Sequence, residues 1–311
     1  MVNIREIAKK SGYSVSSVSR VLNHHPHVSE EARQKIQAVI DELNYAPNML
    51  ARELSHGLTK RVGVIIPHAR HPYFTQLING LLDAAQESDH SLLFLPSNYD
   101  PNIELSYLEQ LRGHAFDHII FTSRSLDLET IASYARYGNI VCCEKIAHPD
   151  LSSVYVERVE ACIAAFKSLQ AQGAKRLVLL FSRKNEKSST YRLVMEAYQA
   201  VYGTTNRPLI YDDIYTAEDS YALSKDLIRQ DFDAIFANSD DIATGIVTYY
   251  EEAGLPLPLI IGQENQLTGK LLGISSMDNK SYQLGRKALA QALSNEPRHL
   301  ALQARFIEGK T

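Results

Sequence analysis

The chain has 311 residues, of which 45% are hydrophobic, and a formal net charge of −4. It is too long for one ordinary domain and apolar enough for two or three globular cores. No run of 18 apolar residues occurs, which argues against a membrane-spanning helix, and three cysteines, two of them adjacent (Cys142, Cys143), suit neither a disulfide framework nor a metal site.

The charge is unevenly placed. Residues 1–60 hold 8 Lys/Arg against 6 Asp/Glu, while the remainder holds 24 against 30. A locally basic head on an acidic body suits a specific nucleic-acid contact with little indiscriminate adhesion. The N-terminus, MVNIREIAKK, has no apolar stretch of the kind a secretory signal needs, so a cytoplasmic protein with buried thiols is expected.

The first elements are short helices. Ile4–Lys10 is amphipathic, with Asn3 and Glu6 spaced as a capping box. Ser11-Gly12-Tyr13 makes a three-residue turn, and Val15–Asn23 predicts a second helix capped by Ser14. This is helix-turn-helix spacing. Val18, Val21 and Leu22 fall on one face and can pack inward, leaving small polar residues and Arg20 on the other. A helix that enters the major groove needs such a slim, polar face. Ser29 caps a third helix, Glu30–Leu43, with an apolar stripe from Ala32 to Leu43. The run His24-His25-Pro26-His27 between helices lacks partner ligands and reads as a polar turn.

After the break at Asn44–Pro47, Asn48 is placed to cap a short helix, Met49–His56, ended by Gly57. An isolated helix of that length is marginal in water. It reads either as a linker resting on the next domain or as a hinge that orders on DNA.

From Arg61 the rhythm becomes that of alternating strands and helices. Apolar runs at 62–66, 91–95, 118–122, 139–143, 176–181, 209–211, 234–238 and 259–262 read as strands, with helical patterns between them and a last helix at Tyr282–Leu293. Strands buried on both faces with helical crossovers predict doubly wound parallel sheets. The length favours two lobes split near Val154–Arg158, with ligand bound at the carboxyl ends of the strands. The expected domains are 1–46, a hinge over 47–60, and a two-lobed body over 61–311. The lobes are expected at about 61–155 with 280–298, and 156–279 with 299–311. No nucleotide cradle, nucleophile elbow or metal-ligand set is visible, so no cofactor, no metal and no enzymatic reaction is expected.

The succession VSRVLN, VSEEARQKI, ELNYAPN and LAREL, followed by a two-lobed body, resembles the lactose/galactose repressor (LacI/GalR) family of transcriptional regulators along its whole length. The resemblance implies a periplasmic-binding-protein-like body, a homodimer or dimer of dimers on a pseudo-palindromic DNA operator, and an effector in the cleft. It implies base reading by Val15, Ser16 and Arg20, with Ser14 and Asn23 on the phosphate side. Leu54 matches the family's minor-groove wedge, which unstacks a base step, and Ala51 lets paired hinge helices approach. For the effector it implies Tyr73 and Phe74 in HPYF, Glu144, Arg192, Tyr215, Ser239 and Glu264; Asp240 reads as a helix cap. An aromatic face with carboxylates and a planar arginine suits a sugar or sugar phosphate. The expected function is therefore a regulator, chiefly a repressor, of carbohydrate-use genes. Its alternatives are a carbohydrate-binding module without a regulatory role and a regulator governed by a protein corepressor.

Overall fold

The computed structural model describes residues 3–46, 57–67, 72–183, 188–294 and 296–310. The chain divides into two compact units, Met1–Thr59 and Lys60–Thr311.

Local chemistry sets the helices of the first unit. Asn3 caps α1 (Ile4–Ser11), its side chain accepting from the Arg5 and Glu6 amides at 2.9 and 3.1 Å, while Glu6 accepts in return from the Asn3 amide. Gly12 ends α1 in the left-handed conformation, φ 78°, that glycine adopts without steric cost. Ser14 caps α2 (Val15–Leu22), accepting from the Ser17 amide at 3.1 Å. Ser29 caps α3 (Glu30–Glu42). The three helices meet through Ile7, Val18, Val21, Ile36 and Ile40. Ile7, Val18 and Ile36 are fully buried, each contributing roughly 1.5–3 kcal/mol.

The second unit begins with β1 (Arg61–Ile66), α4 (Pro72–Ser88), β2 (Ser91–Pro96), α5 (Pro101–Arg112), β3 (His118–Phe121), α6 (Leu128–Ala132), β4 (Asn139–Cys142) and β5 (Ser152–Glu157). A second series follows: α7 (Val159–Ala171), β6 (Leu177–Leu180), α8 (Ser189–Tyr202), β7 (Leu209–Tyr211), α9 (Ala217–Leu227), β8 (Ala234–Ala237), α10 (Asp240–Glu252), β9 (Leu259–Gln263), α11 (Leu267–Leu272) and β10 (Ser275–Asp278). The chain closes with α12 (Ser281–Ala292), β11 (His299–Gln303) and β12 (Arg305–Ile307).

These strands form two six-stranded sheets, ordered β11-β5-β4-β3-β1-β2 and β12-β10-β9-β8-β6-β7. All recorded pairings are parallel except that of β12 with β10. The chain therefore passes between sheets three times, after Glu157, between Asp278 and Ser281, and at Ala304. The Ala304 amide donates to the Glu157 carbonyl at 3.0 Å, tying the first passage to the last.

The eight apolar runs supply β1–β4 and β6–β9, with each end within one residue of the expected range. Four further strands, β5, β10, β11 and β12, carry too many polar residues to stand out as apolar runs. One expected boundary is corrected. Residues 299–303 belong to the first lobe, not the second, because β11 pairs in register with β5 from His299–Ser153 to Gln303–Glu157. Its passage to the second sheet comes at Ala304. The helical segment between β3 and β4 is short: α6 stops at Ala132, and Ala135–Tyr137 is a single 3-10 turn.

Helices α4 and α12 lie backbone to backbone on the first lobe. A Cβ at Gly80 would run into the Tyr282 carbonyl, and one at Gly285 into the Leu77 carbonyl. Reciprocal glycines thus seat the helix that follows Asn279 tightly against the helix that carries Tyr73 and Phe74.

Candidate functional site

Two sites emerge, one in each unit. In the first, α2 buries Val18 and Val21 and turns Val15, Ser16 and Arg20 outward, Val15 being 44% exposed. Among the described residues the Arg20 guanidinium makes no ion pair. Lys10, by contrast, is bound to Glu42 at 2.5 Å. Ser14 is exposed, but its hydroxyl is already engaged by the Ser17 amide, with the Ser16 and Ser17 hydroxyls at 2.8 and 2.9 Å. Its first role is to start α2 at Val15. Asn23 sits at the C-terminal cap of the same helix. The arrangement offers an apolar contact, a short hydroxyl and a long planar donor along one helix face. Ala51 and Leu54, with the whole expected hinge helix, lie outside the described residues.

The cap makes a measurable prediction. Ser14→Ala is expected to cost about 1 kcal/mol of first-unit stability, read as roughly fivefold faster amide exchange across α2 in the intact chain. Unchanged exchange there would mean that the cap contributes nothing.

In the second unit a cavity of about 820 Å³ opens at the carboxyl ends of the strands of both sheets. Tyr73 and Phe74 enter it from the first turn of α4, with their rings edge to face at 5.0 Å. Glu144 follows β4, Arg192 comes from α8, and Glu264 follows β9. These five expected residues are brought together on one wall system. Tyr215 and Ser239 are not part of that wall. Tyr215 lies beside it at the start of α9, and Ser239 is fully buried, its hydroxyl capping α10 by accepting from the Ile242 amide at 3.1 Å. The cap role expected of Asp240 therefore belongs to Ser239, one residue earlier.

Several lining residues were not legible in the sequence. Arg124 pairs with Glu144, and Lys145 with Glu157 at 2.8 Å, so these charges cancel locally. Arg158 donates to the Thr190 hydroxyl at 3.1 Å. The Arg183 guanidinium lies 3.9 Å over the Tyr99 ring, a cation–π contact. Asn279 is 2% exposed, and its Nδ2 donates to Glu264 at 2.7 Å. That bond fixes the amide's orientation and leaves its carbonyl oxygen buried without a hydrogen-bond partner. Asn279 directly follows β10. Had that strand been legible, the carboxyl-end rule would have pointed to it.

Glu264 is nearly buried and also accepts from the Ser281 hydroxyl at 2.5 Å. Burial pushes its carboxyl above the usual range, against the pull of Asn279, Ser281 and Arg158. Burial likewise pushes the Tyr73 phenol up, and raises the Cys142 and Cys162 thiols to about 12. Such thiols are poor nucleophiles at neutral pH.

Behind Glu264, Asp240 is fully buried. Burial raises its carboxyl from 3.8 to about 7, against hydrogen bonds from Ser276 and Gln266, with Glu264 and Asp241 adding to the rise. The folded value lies above the unfolded one, so between the two the native chain holds a proton that the unfolded chain has released. The associated stability is complete below the lower value and is lost as pH rises through the upper one. The stability difference between wild type and Asp240→Asn should therefore fall with rising pH across that window, by at most about 1.4 kcal/mol per pH unit. Paired urea titrations measure it, and a difference flat with pH would mean that Asp240 titrates normally.

Comparison with known proteins adds the lineage. Residues 59–293 match the family described as periplasmic binding proteins and sugar binding domain of LacI family, and residues 3–48 match bacterial regulatory proteins, lacI family. The chain is 36% identical to catabolite control protein B of Bacillus subtilis (strain 168), over 98% of this chain and 99% of that protein. It is 26% identical to catabolite control protein A of Priestia megaterium, over 93% and 90%. In fold it resembles the lac repressor dimer bound to operator and the anti-inducer ONPF, with a TM-score of 0.81 at 18% identity, covering 100% of this chain and 98% of that one.

Proposed function

The chain belongs to the LacI family of bacterial regulatory proteins and is a DNA-binding transcription regulator, and from that premise we propose that it represses carbohydrate-use genes under the control of a small polyhydroxylated effector. We further propose that it acts as a homodimer on a pseudo-palindromic operator, in the cytoplasm where its genes lie, and without enzymatic activity. The domain division proposed is a head over 1–46, a hinge over 47–60 and a body from 61.

The observation that carries DNA reading is the outward face of α2. Its apolar residues close the helix bundle, and Val15, Ser16 and Arg20 are left for the groove. Arginine's fork matches guanine O6 and N7, and valine suits a thymine methyl. A gel shift with a pool of palindromic operators tests this, and absence of a salt-sensitive sequence preference would sink it.

For the effector, the carrying observation is the orphaned Asn279 carbonyl beside Glu264 in a cavity of sugar size. Vicinal hydroxyls satisfy both acceptors while Tyr73 and Phe74 cover an apolar face. In a thermal-shift screen, a matching sugar or sugar phosphate at 100 times its Kd adds about 2.7 kcal/mol of stability. A panel in which no polyol raises the melting temperature would remove this reading.

A further inference from the structure

We propose that Asp240 is a positioning residue for the cavity: from behind the wall it holds the turn that presents Glu264. The proposal rests on reading the cavity as the effector site, but its geometry is independent of any ligand.

The turn after β9 is unusual. Glu264 has φ 82° and Asn265 φ 46°, so two consecutive side-chain-bearing residues occupy the left-handed region. Such conformations cost energy and persist only where the surroundings over-determine them. Here the surroundings are explicit. The Gln266 amide donates to Asp240 Oδ2 at 2.5 Å. The Ser276 hydroxyl donates to Asp240 Oδ1 at 2.6 Å, and the same Ser276 oxygen accepts from the Asn265 amide at 3.0 Å. One carboxyl group therefore grips the turn directly through Gln266 and indirectly through Ser276. The Glu264 amide completes the hold by donating to the Met277 carbonyl at 2.8 Å.

The seat is shaped for this side chain. A Cβ on Gly262 would strike the Asp240 carboxyl, and one on Gly269 would come 2.7 Å from its Cγ. Neither glycine lies in the left-handed region, so their conformation does not demand glycine; the room they leave does. Asp240 itself does not line the cavity, whereas Glu264 does. Its influence on any ligand passes through the turn.

The test is amide exchange in the full-length chain without ligand. Above pH 7, where the wild-type carboxyl is ionised, exchange at Asn265 and Gln266 normalised to the intrinsic rate is expected to quicken about tenfold in Asp240→Asn, a neutral isostere, because a charge-assisted acceptor becomes a neutral one. Ser276→Ala should release Asn265 to a similar degree, while the amides within β9 keep their protection in both variants. A second readout is the pH profile. The charged groups that act on Asp240 are Glu264 from the turn and Asp241 from its own helix. As Asp240 takes up a proton, the wild-type turn should approach the exchange rate of Asp240→Asn, whose own normalised rate should not change with pH. Unchanged exchange at both amides in both variants, or equal loosening throughout β9, would overturn the proposal. Glu264→Gln separates the two readings: it should leave both turn amides protected. Loss of sugar binding in that variant would then bear on the effector and not on Asp240.

Discussion

Arg20→Ala is expected to weaken binding to the cognate operator by roughly 5- to 150-fold per half-site, the ratio that about 1–3 kcal/mol of base discrimination gives. In a two-fold complex the loss is taken twice. Val18 and Val21 are the only α2 residues that are buried, and they fix which way α2 faces. Arg20, between them in the spiral and exposed, is then carried on the open side. Its guanidinium has no ion-pair partner among the described residues, so binding DNA breaks no salt bridge there. Nonspecific affinity should change far less, because phosphate attraction is spread over several cations. Arg5→Ala or Lys9→Ala should do the reverse, weakening all sequences together and lowering the salt slope by about 1. Equal losses on specific and random DNA in a gel shift with Arg20→Ala would remove its base-reading role.

Glu264→Gln should weaken binding of the stabilising sugar by roughly 10- to 150-fold, since hydrogen bonds to a charged group are worth about 1.5–3 kcal/mol. The same variant should fold with little loss of stability. Burial already raises the Glu264 carboxyl, so the folded chain tolerates a neutral group there, and an amide keeps the shape and one acceptor for Asn279. Calorimetric titration set beside a urea melt measures both quantities. A variant that binds the sugar as the wild type does would show that Glu264 is part of the wall and not of the recognition. Glu264→Ala is a harsher case, because it leaves the donors Asn279 and Ser281 buried without their acceptor.

How far the site could be read in advance follows from what each signal depends on. Tyr73, Phe74, Glu144, Arg192 and Glu264 all reach the cavity, and each lies next to an apolar strand or a helix start visible in the sequence. Arg158 and Asn279 follow β5 and β10, strands whose serines and acids disguise them. Ser239 and Asp240 show a finer ambiguity. Either residue type can cap a helix, and a shift of one position in where α10 begins exchanges their roles. The shift releases Asp240 from the helix end and turns it toward the β9–α11 turn.

The sequence by itself determined everything held by near neighbours. Asn3, Glu6, Gly12 and Ser14 start and stop the first two helices through bonds that span three or four residues, and the spacing of Val18 and Val21 sets their inward face. It also determined β1, β3, β4, β6, β8 and β9, since strands covered on both sides must be apolar throughout; the edge strands β2 and β7 are apolar as well, although largely exposed. Only the tertiary structure decided that β11 joins β5 across an interval of about 150 residues, that the chain changes lobes at Ala304, and that a carboxylate behind the wall stitches the Glu264 turn to β10. Those pairings rest on backbone hydrogen bonds and buried polar contacts between distant segments. Such contacts leave no periodic trace in the residues that make them.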